Sequence, residues 1–203
     1  MSLLGSAAAL KWATRELDHL ETVIALVPGR TACIQAGGNL GVFPRRLAQS
    51  FSTVYCFEPA ADLFDKMLRN APAENIVRFQ AALGDRRGLV GTSRVRRDGK
   101  PNAHEGITHV VAGGTIPTLL VDDLALPVCD LIYLDIEGVE LSALRGSVET
   151  LHRCRPVVAV EINKNLKYVD VTEADIYAFF ADQGYAHLMC VGSDHVFLPV
   201  ERA

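Results

Sequence analysis

The chain has no Cys-x-x-Cys pair, no basic leading segment, no surplus of positive charge and no apolar run of the ~20 residues that a membrane span needs. Each absence removes a class of function. The cysteines at Cys33, Cys56, Cys129, Cys154 and Cys190 lack the close spacing of a metal site. Most lie in or beside apolar runs, so they read as buried thiols in a reducing compartment. With neither span nor leader, a cytoplasmic location is the default expectation. A formal charge of -4 gives no global pull toward nucleic acid or an anionic membrane. No segment repeats at a fixed period, which argues against a repeat architecture.

What is present suits one globular domain over residues 1–203, with a helical segment at 1–28 and a catalytic sheet over 31–203. Hydrophobic residues make up 49% and charged residues 22%, which excludes general disorder. Ala13, Leu17, Leu20, Ile24 and Val27 recur at steps of three and four, predicting one helix that ends before Pro28-Gly29. Short apolar runs near 31–35, 53–57, 76–79, 130–135 and 156–162 read as buried strands. Helical stripes lie between them: Phe43, Leu47 and Phe51; Phe64, Met67 and Leu68; Leu141, Leu144, Val148 and Leu151, with a break at Gly146. Thr172 with Asp175 forms a capping box ahead of Ile176, Phe179 and Phe180. Residues 185–191 and 195–200 form a terminal hairpin about Gly192-Ser193-Asp194. Residues 84–114, rich in Gly, Arg and His, read as loops with no more than two short strands.

Apolar strands alternating with helices predict an α/β fold, a doubly wound and mainly parallel sheet in three layers, with the hairpin adding an antiparallel strand. Ligands of such sheets lie beyond the carboxyl ends of the strands, so the residues that end each strand are the candidates. The first strand runs into Gln35, Ala36, Gly37, Gly38, Asn39, Leu40 and Gly41. A glycine-rich turn before a helix lets backbone approach a ligand and offers free N–H groups to an anion; the plainer reading is a turn needed only for tight geometry. Counting G-x-G-x-x-G from Gly37 meets Asn39 and Val42, and from Gly38 meets Leu40 and Phe43. A phosphate-binding P-loop is absent too. A nicotinamide oxidoreductase is therefore disfavoured, and the anion is read as the carboxylate of a methionine moiety.

The second strand ends in Glu58-Pro59, with Glu58 placed 23 positions after Gln35, close to the ~20 at which a carboxylate accepts both hydroxyls of a cofactor ribose. The third ends in Gln80 and Ala81, which suit an adenine edge and leave room for the ring. In sequence order, AGGNLG, VYCFEP, QAALGD, DLIYLDIEGVELSALRG and RPVVAVEIN resemble the FkbM family of class I methyltransferases. The resemblance runs from about Thr31 to Asn163, and D-x-E-G-x-E is its most specific block. It implies a seven-stranded methyltransferase sheet, S-adenosyl-L-methionine as cofactor, and methylation of a hydroxyl oxygen on a sugar or natural product. The family commonly carries Asp where this chain has Gln35 and Lys where it has Tyr133. Gln35 lacks a charge that would face the cofactor's ammonium group. These departures motivate a second reading, a cofactor-binding module without turnover that serves as a sensor or partner subunit.

Asp135, Glu137 and Glu140 cluster where the fourth strand gives way to helix. Carboxylates there favour a cationic cofactor over its neutral product, and Asp135 or Glu137 is a candidate base for the acceptor hydroxyl. Glu161, beside Asn163, is the other acceptor-side carboxylate. Two plainer readings stand beside this one: helix capping by Glu137 and Glu140, and a divalent ion on Asp135, Glu137 and Glu140; the favoured site contains no metal. His104 and His109 are alternative bases. Arg86, Arg87, Arg94, Arg96, Arg97 and Lys100 suit a small acceptor that is carbohydrate, phosphorylated or nucleotide-linked, or form a solvated loop. The segment has no interleaved aromatics to stack single-stranded nucleic acid.

Overall fold

The computed structural model describes residues 3–94, 108–163, 165–166 and 169–202. Five parallel strands make up one side of the main sheet, out to the edge strand β3: β1 (Ala32–Ala36), β2 (Thr53–Phe57), β3 (Ile76–Phe79), β8 (Leu131–Leu134) and β9 (Val157–Glu161). The hairpin strands β10 (Tyr185–Val191) and β11 (Asp194–Pro199) complete a seven-stranded sheet in the order β10-β11-β9-β8-β1-β2-β3. β11 runs antiparallel to both of its neighbours, which leaves β10 at the edge. The terminal hairpin and the mainly parallel sheet agree with the sequence reading.

Alternation along the strands divides the core between two faces. Ile34, Ile132, Leu134, Val158 and Val160 are buried on one, against Ile176 and Phe180. Cys33, Leu131, Tyr133, Val157 and Ala159 are buried on the other, against Leu20, Val23 and Ile24. Each such aliphatic side chain stabilises the fold by about 1.5–3 kcal/mol, so the register is strongly fixed. A slip of one residue would exchange the two faces. That alternation also sets which strand-end side chains share a face: Gln35, Tyr133, Asp135 and Glu161 continue the row of Cys33, Leu131 and Ala159.

The helices are α1 (Ala7–Arg15), α2 (Leu17–Leu26), α3 (Val42–Leu47), α4 (Ala61–Asn70), α5 (Glu140–Arg145), α6 (Val148–Cys154) and α7 (Glu173–Asp182). The single N-terminal helix expected from the apolar stripe is two. The break falls at Glu16, because Ala9 of α1 packs with Leu40 and Leu63 while α2 packs on the sheet. The expected break at Gly146 separates α5 from α6. A Cβ there would meet the Gly84 carbonyl oxygen at 2.1 Å, so the helix must give way to let another chain segment pass.

Residues 84–114 hold two short strands, as expected, but these join two flanking ones that the sequence did not announce. Among the described residues they form a second sheet of four strands, β4 (Ala82–Leu83), β5 (Gly88–Ser93), β6 (His109–Ala112) and β7 (Ile116–Leu119), in the order β4-β7-β5-β6. These strands are short, and β5 and β6 are only partly buried, so their polar, glycine-rich sequence carried no clear period. Cysteine burial also needs correcting. Cys33, Cys56 and Cys129 are buried, but Cys154 is half-buried and Cys190 is exposed. Among the described residues no helix is long and apolar enough to cross a membrane.

Candidate active site

The glycine turn closes onto its neighbours. Gly37 has φ +88°, and a Cβ on it would meet the Asp135 carbonyl oxygen at 1.9 Å. Only glycine lets the ends of β1 and β8 approach this closely. The turn's N–H groups, expected to be free for an anion, are spent internally. Gly37 and Gly38 both donate to the Phe57 carbonyl (3.0 and 2.9 Å), Gly41 donates to Gly38 (2.8 Å), and Asn39 N–H donates to Glu58 Oε2 at 2.7 Å. Those four N–H groups are therefore not free to cradle an anion.

Gln35 is buried, and its amide donates to the Ala36 and Gly37 carbonyls (3.2 and 2.8 Å) while its oxygen accepts from the Cys56 thiol. It braces the turn from within, so an Asp-like role facing an ammonium group does not describe it. Glu58 is buried beside the turn, with Oε1 accepting Ala60 N–H at 2.8 Å. Burial pushes its carboxyl up to about 7 against the two backbone donors. Each of its oxygens keeps a second lone pair for a hydroxyl donor. Pro59 follows directly, and beyond β3 Gln80 is exposed while Ala81 is buried.

Carboxylates converge at the ends of β8, β9 and β11. Asp135 and Glu161 share a hydrogen bond. Burial first, then the charges of Glu161 and Glu137, push Asp135 well above the usual carboxylate range. Burial also lifts Glu161 to about 7, while the bond from Asp135 pulls it down. Two carboxyls joined by a hydrogen bond share a proton across it, which keeps both above the ordinary carboxylate range. Glu161 also accepts from Asn163 Nδ2 (2.5 Å) and from the Ser193 hydroxyl (3.2 Å). Asp194 lies directly across from Glu161 in the ladder. It accepts the Tyr133 hydroxyl, and burial raises it to about 6.

The D-x-E-G-x-E block divides its labour. Glu137 sits at φ +58°, a conformation that side chains avoid, and it accepts a hydrogen bond from Asn165; burial raises its pKa. Glu140 turns inward and is fully buried. Its Oε1 accepts the N–H groups of Ile136 and Gly138 at 3.1 and 3.0 Å, and Oε2 has no hydrogen-bond partner among the described residues. Burial lifts it to about 7. Through Oε1, Glu140 holds the β8–α5 turn. Sequence reasoning missed Asp194, Ser193 and Asn165. Ser193 and Asp194 read as ordinary turn residues, and their approach to Glu161 needs the hairpin's register.

Of the basic segment, Arg87 pairs with Asp123 and Arg94 with Asp62, on the first turn of α4. Arg94 also lies near enough to draw Glu58 down slightly. Arg86 is exposed, and His109 opens β6. Arg96, Arg97, Lys100 and His104 lie outside the described residues.

The methyltransferase FkbM domain matches residues 35–186, most of the chain and every strand end just described except Asp194 of β11. The chain belongs to the FkbM methyltransferase family. It is 27% identical over 175 residues to the hexuronic acid methyltransferase AglP of Haloferax volcanii, covering 80% of this chain and 70% of that protein. The solved methyltransferase FkbM of Methylobacillus flagellatus KT aligns over 85% of this chain with a TM-score of 0.52 and 19% identity, and the chain spans 44% of that protein's length. The magnesium protoporphyrin IX methyltransferase ChlM of Synechocystis PCC 6803, solved with bound SAM, aligns over 93% of this chain and 78% of its own, with a TM-score of 0.50 and 12% identity. At these identities the structural likeness speaks for the fold. In this FkbM-family chain, the family's D-x-E-G-x-E block coincides with Asp135, Glu137, Gly138 and Glu140 at the carboxyl end of β8.

Proposed function

We propose that the chain transfers the methyl group of S-adenosyl-L-methionine to a hydroxyl oxygen of a hexuronic-acid-type sugar, with Glu161 as general base and Asp135 as the residue that holds it. One observation carries this reading: Asp135 and Glu161, two hydrogen-bonded carboxyls, stand at the ends of adjacent strands, with Asp135 against the glycine turn. The donor set suits the cofactor. Glu58 has lone pairs to spare for two ribose hydroxyls, and the acidic rim of Asp135, Glu137 and Glu161 favours a cation. Gln80 and Ala81 would border the adenine, with Ala36, Gly37, Asn39, Gly41 and Pro59 shaping the floor.

The cofactor supplies an electrophilic methyl group on a cationic sulfur. The protein's part is orientation and proton transfer. Asp135, Asn163 and Ser193 all donate to Glu161, so its carboxylate is fixed in direction before an acceptor arrives. A base with a pKa of about 7 is matched to neutral pH. Asn165 restrains Glu137 at the same rim, on the acceptor side. An anionic acceptor needs counter-charge; with Arg87 and Arg94 paired to Asp123 and Asp62, exposed Arg86 is the candidate for it among the described residues of the basic run. The hexuronic acid activity of the AglP relative supports this acceptor class.

The test is transfer of label from methyl-labelled S-adenosyl-L-methionine to free, glycosidic and nucleotide-linked hexuronic acids. Glu161→Gln should lower kcat by about 10²–10⁴-fold, a far larger effect than the weakening of cofactor binding from one lost rim charge. The wild-type rate should rise with pH through neutrality, as Glu161 loses its proton. Calorimetric binding of the cofactor without transfer to any acceptor would favour the non-catalytic module. Absence of binding would end the proposal.

A further inference from the structure

We propose that His187, Cys190 and His195 form a binding site for a zinc-type divalent transition metal on the β10–β11 hairpin, separate from the carboxylate rim. Cys190 Sγ lies 3.5 Å from His187 Nε2 and 3.7 Å from His195 Nδ1, and the three ligand atoms fall within 4.8 Å of one another. A tetrahedral ion with Zn–S of about 2.3 Å and Zn–N of about 2.0–2.1 Å keeps its sulfur and nitrogen ligands roughly 3.6 Å apart. Both sulfur–nitrogen separations already match that geometry. Imidazole and thiolate together select this class of metal over magnesium or calcium.

The strand is built irregularly to achieve this. Residues three apart on a regular strand point to opposite faces, which would separate His187 from Cys190. The ladder pairs His187 with Phe197, Met189 with Val196 and Cys190 with His195, so Leu188 is an inserted residue. That bulge shifts the phase by one and turns both side chains to the face carrying His195. Its cost is visible in Leu188, which is left 41% exposed at the sheet edge.

α7 completes the surroundings. Glu173 Oε1 lies 3.9 Å from His195 Nδ1 and can supply a fourth, oxygen ligand. The Tyr177 hydroxyl, 2.9 Å from the same nitrogen, orients the ring; a metal takes over the lone pair that this hydroxyl engages. On binding, the Cys190 thiol gives up its proton to solvent and the sulfur lone pair forms the bond. Occupancy would pin the edge strand to α7 two residues from Ser193, which holds Glu161.

The experiment uses tag-free full-length chain, stripped with chelator and titrated with Co²⁺, then with Zn²⁺ in competition. The expected result is one equivalent of Co²⁺ with a thiolate-to-cobalt charge-transfer band. The band should vanish in Cys190→Ser and persist in Cys154→Ser. His187→Ala should weaken Zn²⁺ binding by about tenfold or more. Because Cys190 and His187 are exposed, these variants should retain the wild-type circular dichroism, and Zn²⁺ should raise the melting temperature of wild type alone. A band that survives Cys190→Ser, or no stoichiometric binding at micromolar metal, overturns the proposal.

Discussion

Glu58 is engaged by its own backbone before any ligand arrives. Its two oxygens hold the Asn39 and Ala60 N–H groups, so one carboxylate fixes the turn after β1 to the start of α4. Glu58→Gln forces an amide NH₂ against one of those two donors. A buried donor left unsatisfied costs about 1–3 kcal/mol, and urea denaturation should register a loss of that size together with weakened cofactor binding. The acidic type of residue 58 was legible, because it ends a clear strand at a telling distance from Gln35. Its structural duty was not, since a backbone partner leaves no mark on composition. Asn70 makes the same point: buried, it binds Leu4 through N–H and carbonyl and also the Leu40 carbonyl, at 2.6–2.7 Å. Nothing local in the sequence distinguishes it from a solvated helix-end asparagine.

Elements were legible where one physical signal dominated. The capping box of α7 is as expected: Thr172 Oγ1 accepts Asp175 N–H, and Asp175 accepts Thr172 N–H at 2.7 Å. Thr172→Ala should cost about 1 kcal/mol, seen as a lower urea midpoint with an unchanged slope. The buried parallel strands were equally plain, since covering on both faces leaves little but apolar residues. The second sheet was hidden because β5 is half solvated and its pairing with β7 crosses an intervening segment. The His187–Cys190–His195 group was hidden by the bulge: read as a regular strand, the sequence sets His187 and Cys190 apart. The carboxylates Asp135 and Glu161 could be named from strand ends, but their shared proton depends on β8 and β9 being neighbours.

The whole molecule should respond to pH in an unusual direction. Burial raises Glu58, Glu140 and Glu161 from 4.5 to about 7, and Asp194 from 3.8 to about 6. The folded chain therefore keeps protons that the unfolded chain releases, so stability declines as pH rises across that window. Asp62 and Asp123, held low with Arg94 and Arg87 nearby, and Glu201, drawn to about 2 by Arg155, act oppositely and only under more acid conditions. The ligand-free protein should melt at a higher temperature at pH 5.5 than at pH 8. A pKa unit corresponds to about 1.4 kcal/mol. Glu140→Gln should therefore narrow that gap, by stabilising the alkaline side and leaving the acid side nearly unchanged. Differential scanning calorimetry of both proteins across the range checks the sign.

The small sheet between β3 and β8 enters and leaves the body at a single point, where Gly84 N–H donates to the Leu119 carbonyl at 3.0 Å. Its two stems are stitched side by side, so the stretch between them can be cut out and replaced by a counterpart from another enzyme without parting any strands of the main sheet. Grafting at Gly84 and Leu119 should thus leave the order and register of the seven-stranded sheet unchanged.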